Sequence, residues 1–206
     1  MKIAKLEPSK HKKGRFLVHL DDGGLLRVGE GELVSFGLYS GMELSDETLA
    51  ALTASAHRSG LKDKALNALT ARPLSRKELL DKLREKEASD AEAAEIADWL
   101  EDLGLLNDAE YAKTLAQHYA AKGYGPYKIK DELYRRGVPK SLWDAALEEL
   151  ETPEEAIDAL LRQKLKTPNP DRKELKRASD ALARRGYSWS DISAALRRFG
   201  AEMEEE

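Results

Sequence analysis

The 206-residue sequence contains no cysteine, which excludes disulfide bonds, cysteine-ligated zinc, iron–sulfur clusters and thiol catalysis. Aromatic residues make up only 6% of the chain. No segment approaches the roughly 18 consecutive apolar residues that a membrane-spanning helix requires, so we expect no membrane partner. Residues 1–8 lack an apolar region followed by a small-residue cleavage site. We therefore expect no secretory signal and a cytoplasmic location.

Catalytic and metal-binding motifs are also missing. The sequence has no G-x-x-x-x-G-K-[ST] phosphate loop, no H-E-x-x-H metal motif and no G-x-S-x-G nucleophile elbow. Its four histidines lack the spacing of metal ligands, and many carboxylates lie near lysine or arginine on helical faces. We expect a protein that is not an enzyme, with no catalytic residue, no metal and no cofactor. A helical hydrolase with a hidden carboxylate pair is the less favoured alternative.

The net charge of −4 does not favour a protein that coats nucleic acid with its whole surface. The charge is unevenly distributed, however. Residues 1–20 carry six lysines and arginines against one carboxylate, whereas residues 201–206 are rich in glutamate. A local basic surface is therefore compatible with the acidic total.

The N-terminal part of the chain predicts a small β module. Arg15–Leu20 is rich in β-prone residues, and the sequence Asp-Asp-Gly-Gly at positions 21–24 is typical of a hairpin turn. Leu25–Val28 then predicts the returning strand. Ser45 predicts the start of a linker helix, which we expect to end at Gly60.

From residue 61 onwards the sequence predicts only helices and turns, arranged as an internal repeat. The pattern Leu79-x-x-x-Leu83 recurs as Ile129-x-x-x-Leu133 and Ala178-x-x-x-Leu182, at offsets of 50 and 49 residues. Each copy predicts three helices, and a tight turn with Gly137 or Gly186 follows the second helix of the later copies. Glu87 takes the corresponding position in the first copy. We number the copies repeats 1, 2 and 3.

The fold expected from these patterns is mainly α. Three tandem three-helix repeats, each resembling a helix-turn-helix, form an elongated curved array behind the β module. The expected boundaries are 1–44 for the β module, 45–60 for the linker helix, 61–106, 107–150 and 151–200 for repeats 1 to 3, and 201–206 for an acidic tail.

Basic and aromatic residues near the ends of the second helices are the candidate binding residues. Paired arginines precede the turn glycine in repeats 2 and 3, and lysines and tyrosines accompany the second helix of repeat 2. Helix-end cations that favour the helix dipole, and tyrosines that fill a gap between helices, are the alternative interpretations. The candidates are Arg72, Arg76, Lys77, Tyr124, Tyr127, Lys128, Lys130, Arg135, Arg136, Arg184 and Arg185.

Repeat 2 contains the segments LLNDAEYA at 105–112, GYGPYKI at 123–129 and ELYRRGV at 132–138. These segments carry a resemblance to the RecX family, which regulates the RecA recombinase in bacteria. Shorter segments at 71–79 and 184–188 extend it over about residues 61–200. The β module resembles the N-terminal extension of some members. Asn107 and Glu87 depart from the family pattern.

The resemblance implies a monomer that binds in the groove of the RecA filament on single-stranded DNA. Such binding would lower RecA ATP hydrolysis, strand exchange and co-protease activity, with DNA contacted through the filament. The resemblance also implies roles in DNA repair, homologous recombination and the SOS response. The alternative is a nucleic-acid-binding protein that acts directly on DNA through basic helix faces.

Overall fold

The computed structural model describes residues 1–148, 150, 154–165 and 170–199. The expected start of repeat 3 at residues 151–153 and the acidic tail lie outside these residues. The strands are β1 (Ile3–Pro8), β2 (Arg15–Leu20) and β3 (Leu25–Gly29). The α-helices are α1 (Glu30–Ser35), α2 (Asp46–Ala71), α3 (Arg76–Arg84), α4 (Asp90–Asp102), α5 (Asp108–Ala121), α6 (Pro126–Arg135), α7 (Trp143–Glu148), α8 (Glu154–Lys164), α9 (Arg172–Arg184) and α10 (Trp189–Arg198).

The chain forms two compact units, which are described separately. Unit 1 contains residues 1–72 and 79–103, and unit 2 contains residues 73–78 and the described residues from 104 onwards. Among the described residues, no helix is long and apolar enough to cross a membrane.

The β module of unit 1 is a three-stranded antiparallel sheet in the order β1-β2-β3. The predicted hairpin of β2 and β3 is confirmed, and Gly23 in its turn has a φ of 87°, which a glycine adopts without strain. β1 and the short helix α1 were not predicted. One face of the sheet packs Ile3, Val18 and Val28 against Leu52 of α2.

The prediction that Gly60 ends the linker helix is wrong. Gly60 lies inside α2, which continues for 26 residues to Ala71. The helix buries Leu52 on one side of Gly60 and Leu61 on the other, and both side chains are fully buried. Each such burial contributes about 1.5–3 kcal/mol, which outweighs the cost of about 1 kcal/mol for a glycine within a helix.

The mainly helical fold predicted for residues beyond 61 is confirmed. Within repeats 2 and 3, the second helices contribute equivalent residues to separate cores. Ile129 and Leu133 of α6 are buried with Val138, and Ala178 and Leu182 of α9 are buried with Tyr187. The same register therefore builds the interior of both repeats.

The turns after the second helices have the left-handed conformation that the glycines predict. Gly137 and Gly186 have φ values of 71° and 88°. Glu87 takes the same conformation in repeat 1, with a φ of 69°, and is the one non-glycine residue of the described chain with positive φ. The turn is thus common to all three repeats, although repeat 1 forms it without glycine.

Candidate binding surface

The start of α3 lies on the turn that follows α6, and we call this contact the first junction. The hydroxyl of Ser75, which is fully buried, donates a hydrogen bond to the carbonyl oxygen of Arg136. The aliphatic chain of Lys77 covers Gly137 so closely that a β-carbon at that glycine would overlap it. Glycine at position 137 therefore serves both the turn and the close approach of α3.

Arg136 completes this junction through its side chain. Its guanidinium donates to Glu78 Oε1 at 2.9 Å, and that hydrogen bond is the main cause of an Arg136 pKa above its ordinary value. Glu78 Oε2 also accepts from the hydroxyl of Tyr111 at 3.1 Å and from the backbone N–H of Ser75 at 3.1 Å. The carboxylate of Glu78 thus joins α3, α5 and the turn after α6.

The start of α6 lies on the turn that follows α9 in the same manner, which forms the second junction. The backbone N–H of Gly125 donates to the carbonyl of Arg185 at 2.8 Å, and that of Tyr127 donates to the carbonyl of Gly186 at 3.0 Å. A β-carbon at Gly125 would overlap the backbone of Gly186. Gly125 in repeat 2 corresponds to Ser75 in repeat 1, at an offset of 50 residues. A glycine suits position 125 because the backbone there directly contacts the backbone of Gly186.

Arg185 has a packing role comparable to that of Arg136. Its guanidinium donates to the carbonyls of Lys122 and Gly123 at 3.1 and 3.3 Å, where α5 ends, and lies 5.7 Å from the ring centre of Tyr124. Tyr124 also contacts the ring of Tyr119, with 5.6 Å between centroids. Tyr124 therefore fits the alternative in which a tyrosine fills a gap between helices. Arg185 fits the alternative in which a cation binds the carbonyl groups at a helix end.

The other candidates at the start of repeat 1 are divided between the two units. Arg72 is an exposed residue of unit 1, at the end of α2. Arg76 is half-buried in unit 2, and its backbone N–H donates to Asp108 Oδ1 at 2.7 Å. Asp108 thus stabilises the N-terminus of α3 as well as beginning α5.

Seven aromatic and basic side chains and the turn at Gly186 line a shallow depression on the outer face of α6, which we call the aromatic–basic face. Tyr127 and Tyr134 are 65% and 66% exposed, and their spacing of seven residues places them on the same side of α6. The depression joins this helix to the start of α7 and to the end of α9. Its principal residues are Tyr127, Lys128, Lys130, Tyr134, Lys140, Trp143 and Arg184.

The cations of this face have weak intramolecular partners. Lys130 Nζ lies 3.0 Å from Asp144 Oδ1, and Lys128 Nζ lies 3.6 Å from carboxylate oxygens of Asp131 and Glu132. Within the described part of the chain, Arg184 has no ion-pair partner. Exposed ion pairs contribute about 0–1 kcal/mol, so a binding partner can replace them at low cost.

The two members of each arginine pair lie in different surroundings. Arg135 is 60% exposed and pairs with Asp131 and Glu132 of its own helix at 3.2 and 3.4 Å. Arg184 is likewise exposed. The first arginine of each pair is therefore available at the surface, whereas the second belongs to a junction.

Sequence reasoning missed three residues of the aromatic–basic face: Tyr134, Lys140 and Trp143. A signal for Tyr134 was present, because it follows Tyr127 by seven residues on a helix whose buried side is marked by Ile129 and Leu133. Lys140 and Trp143 offered no such signal. They reach the face through the short 3-10 turn at Lys140–Leu142, which brings Trp143 Nε1 to within 3.0 Å of the Val138 carbonyl.

The surface has the composition of a binding site rather than a catalytic one. In the part of the chain that the structure describes, no three histidine or acidic side chains converge as a metal site. Exposed tyrosines beside cations are suited to contacts with a macromolecule, because aromatic residues and arginine dominate binding energies at interfaces.

Comparisons with known proteins identify all three repeats. The family models described as the first, second and third three-helix domains of RecX match residues 62–100, 107–147 and 152–196. The regulatory protein RecX of Bacillus subtilis is 32% identical over 209 residues, which cover 99% of this chain and 79% of that protein. The regulatory protein RecX of Streptomyces lividans is 34% identical over 146 residues, which cover 68% and 76% of the two chains.

Two solved structures resemble this chain. A crystal structure of a regulatory protein RecX covers 95% of this chain and 98% of its own, with a TM-score of 0.72 and 24% identity, and thus supports the fold. The crystal structure of RecX from Lactobacillus salivarius covers 70% and 97%, with a TM-score of 0.65 and 26% identity.

Proposed function

Because the chain belongs to the RecX family of regulatory proteins, we propose that it binds in the groove of the RecA filament on single-stranded DNA. Bound there, it contacts adjacent RecA protomers and lowers ATP hydrolysis, strand exchange and co-protease activity. It acts as a ligand of the filament rather than as an enzyme.

The observation that carries this proposal is the aromatic–basic face. Two tyrosines on one side of α6 stand about two-thirds exposed, next to Trp143 and to cations with weak partners or none. Tyrosine gives a large contact area for the loss of few rotatable bonds, and arginine forms planar, bidentate contacts with carboxylates. The face therefore has the residues that commonly anchor an interface between proteins.

The effect on RecA follows from linkage between binding and conformation. A ligand that contacts two protomers shifts the filament between active and inactive states only by its difference in affinity for those states. A difference of 1.4 kcal/mol per bound molecule changes the equilibrium tenfold. Inhibition therefore requires no chemistry from this chain, only preferential binding to the inactive filament.

The test is a RecA ATPase assay on single-stranded DNA with this protein titrated in. The wild-type protein should lower the ATPase rate in a saturable manner. The double variant Tyr127→Ala/Tyr134→Ala should need at least tenfold more protein for the same inhibition, since two interface anchors commonly contribute more than about 1 kcal/mol each.

Tyr39→Ala is the matched control, because Tyr39 is an equally exposed tyrosine in unit 1. This control should inhibit as the wild type does. A wild-type protein without effect on RecA would refute the proposed function. Equal inhibition by the double variant and the wild type would instead remove the aromatic–basic face from the interface.

A further inference from the structure

A second basic surface lies in unit 1, in a groove between the sheet and α2, which we call the N-terminal groove. The loop between β1 and β2 forms one rim with Lys10, His11 and Lys12. α2 forms the opposite side with residues of one helical face, from Thr53 to Lys64. Arg27 of β3 completes the cationic lining.

One arginine fixes the geometry of this groove. Arg15 at the start of β2 donates to Asp63 Oδ2 at 2.6 and 3.1 Å, to Ser59 Oγ at 3.0 Å and to the Ser59 carbonyl at 3.0 Å. Its side chain is only 13% exposed. The start of β2 and α2 are thus connected by a largely buried arginine side chain, so the groove is formed before any ligand binds.

The groove has an excess of positive charge. Asp63 forms ion pairs with both Lys12 and Arg15, and Glu7 at the edge of the groove pairs with Lys5 and His19. Both carboxylates are therefore already paired. Within the described residues, Lys10, Arg27 and Lys64 have no ion-pair partner. Three unpaired cations from a loop, a strand and a helix therefore line one recess.

The lining of the groove also includes apolar side chains. Leu17 of β2 and Leu25 of β3 belong to it together with the cations, and Leu25 is 46% exposed. Cations and apolar side chains in one recess suit a ligand with a regularly charged backbone and flat apolar groups. Single-stranded nucleic acid has both, since its phosphates are exposed and its base faces are unstacked in part.

We propose that the N-terminal groove binds single-stranded DNA, with Lys10, Arg27 and Lys64 on the phosphates and the leucines against the bases. A duplex would keep its bases stacked inside and leave Leu17 and Leu25 without contacts. An acidic peptide would match the charge, but its carboxylate side chains carry no flat apolar groups that could lie against the leucines, as bases do. The site is separate from the aromatic–basic face and does not depend on the proposed function.

The test measures binding of a fluorescein-labelled oligothymidylate to the full chain, without RecA, by fluorescence anisotropy at several salt concentrations. The triple variant Lys10→Ala/Arg27→Ala/Lys64→Ala should bind more weakly. Each lost phosphate contact lowers the slope of log K against log salt by about 0.7, so the slope should fall by about 2. A fourfold rise in salt should therefore cost the wild type roughly twentyfold more affinity than the variant.

The charge-matched control is Lys82→Ala/Lys86→Ala/Lys176→Ala, which removes three exposed lysines outside the groove. This control should bind the oligonucleotide as the wild type does. An equal loss of affinity in both triple variants would overturn the proposal, because it would show attraction by net charge alone. An unchanged slope in the groove variant would overturn it as well.

Three further probes distinguish the ligand classes. Leu25→Ser should weaken binding of the single strand without changing the salt slope, since it removes base contacts but no cation. A duplex of the same length should bind more weakly than the single strand, and a glutamate-rich peptide should not compete. Tighter binding of the duplex or of the peptide would overturn the assignment of the groove to single-stranded DNA.

Discussion

Removal of the Arg136 side chain should destabilise the protein, whereas removal of its neighbour Arg135 should not. Arg136 contacts Glu78 at 2.9 Å across the first junction, and Glu78 is only 17% exposed. Arg135 contacts Asp131 and Glu132 within its own helix and is 60% exposed. The two substitutions therefore remove the same chemical group, once from a partly buried contact between segments and once from an exposed contact within one helix.

The magnitude follows from these surroundings. A hydrogen bond to a charged group contributes about 1.5–3 kcal/mol, and the 35% exposure of the Arg136 side chain lowers this through solvent screening. We expect Arg136→Ala to lower the free energy of unfolding by about 1–2 kcal/mol. Arg135→Ala should cost less than about 0.5 kcal/mol, as for other exposed pairs within a helix.

Urea unfolding followed by circular dichroism at 222 nm measures both changes, and a double-mutant cycle with Glu78→Ala isolates the pair. The coupling energy of Arg136 with Glu78 should be about 1 kcal/mol. Equal stability of Arg136→Ala and Arg135→Ala, or a coupling energy near zero, would refute a structural role of Arg136 in the junction.

Two further predictions concern unit 1. Glu87→Gly should raise the free energy of unfolding by about 1 kcal/mol in urea unfolding, because a non-glycine residue pays this cost at a φ of 69°, and a lower stability would show that the Glu87 side chain matters. Burial opposes ionisation of Asp63, but hydrogen bonds from Lys12 and Arg15 outweigh it and hold the pKa of Asp63 below its ordinary value. The ionised carboxylate therefore stabilises the fold at pH values above the ordinary pKa of about 4, and this contribution is lost as the pH falls through the lowered pKa. Thermal melts should show Asp63→Asn to be measurably less stable than the wild type at pH 7, by up to about 1 kcal/mol, with a difference that shrinks as the pH is lowered. A difference independent of pH would contradict this.

Local patterns predicted those elements whose causes are local. The hairpin of β2 and β3 depends on two glycines in a four-residue turn, and Ser75 caps α3 through a reciprocal contact with Glu78 three residues later. The strand β1 depends instead on pairing with β2, and a shift of register between Ile3 and Lys5 interrupts its two-residue alternation. The prediction that Gly60 ends the helix was wrong because the free-energy cost of a glycine within a helix is smaller than the gain from burying Leu52 and Leu61 on either side of it.

The candidate surface was less predictable, because side-chain exposure depends on packing between distant segments. Tyr124 and Tyr127 are three residues apart and look alike in the sequence. One is held by Arg185, which lies 61 residues further along the chain, and the other faces outwards from α6. No pattern within repeat 2 separates them, since the separating contact comes from repeat 3.

The junctions also explain why the second arginine of each pair recurs. In both junctions, the start of the second helix of one repeat packs on the turn that follows the second helix of the next repeat. Arg136 and Arg185 recur because this contact recurs. Their repetition is therefore accounted for by packing, and their role in binding a partner stays a prediction. The side chains of Tyr127 and Tyr134 take no part in the junctions and are exposed. Substitutions that probe binding should for this reason be made at exposed side chains that the junctions do not use.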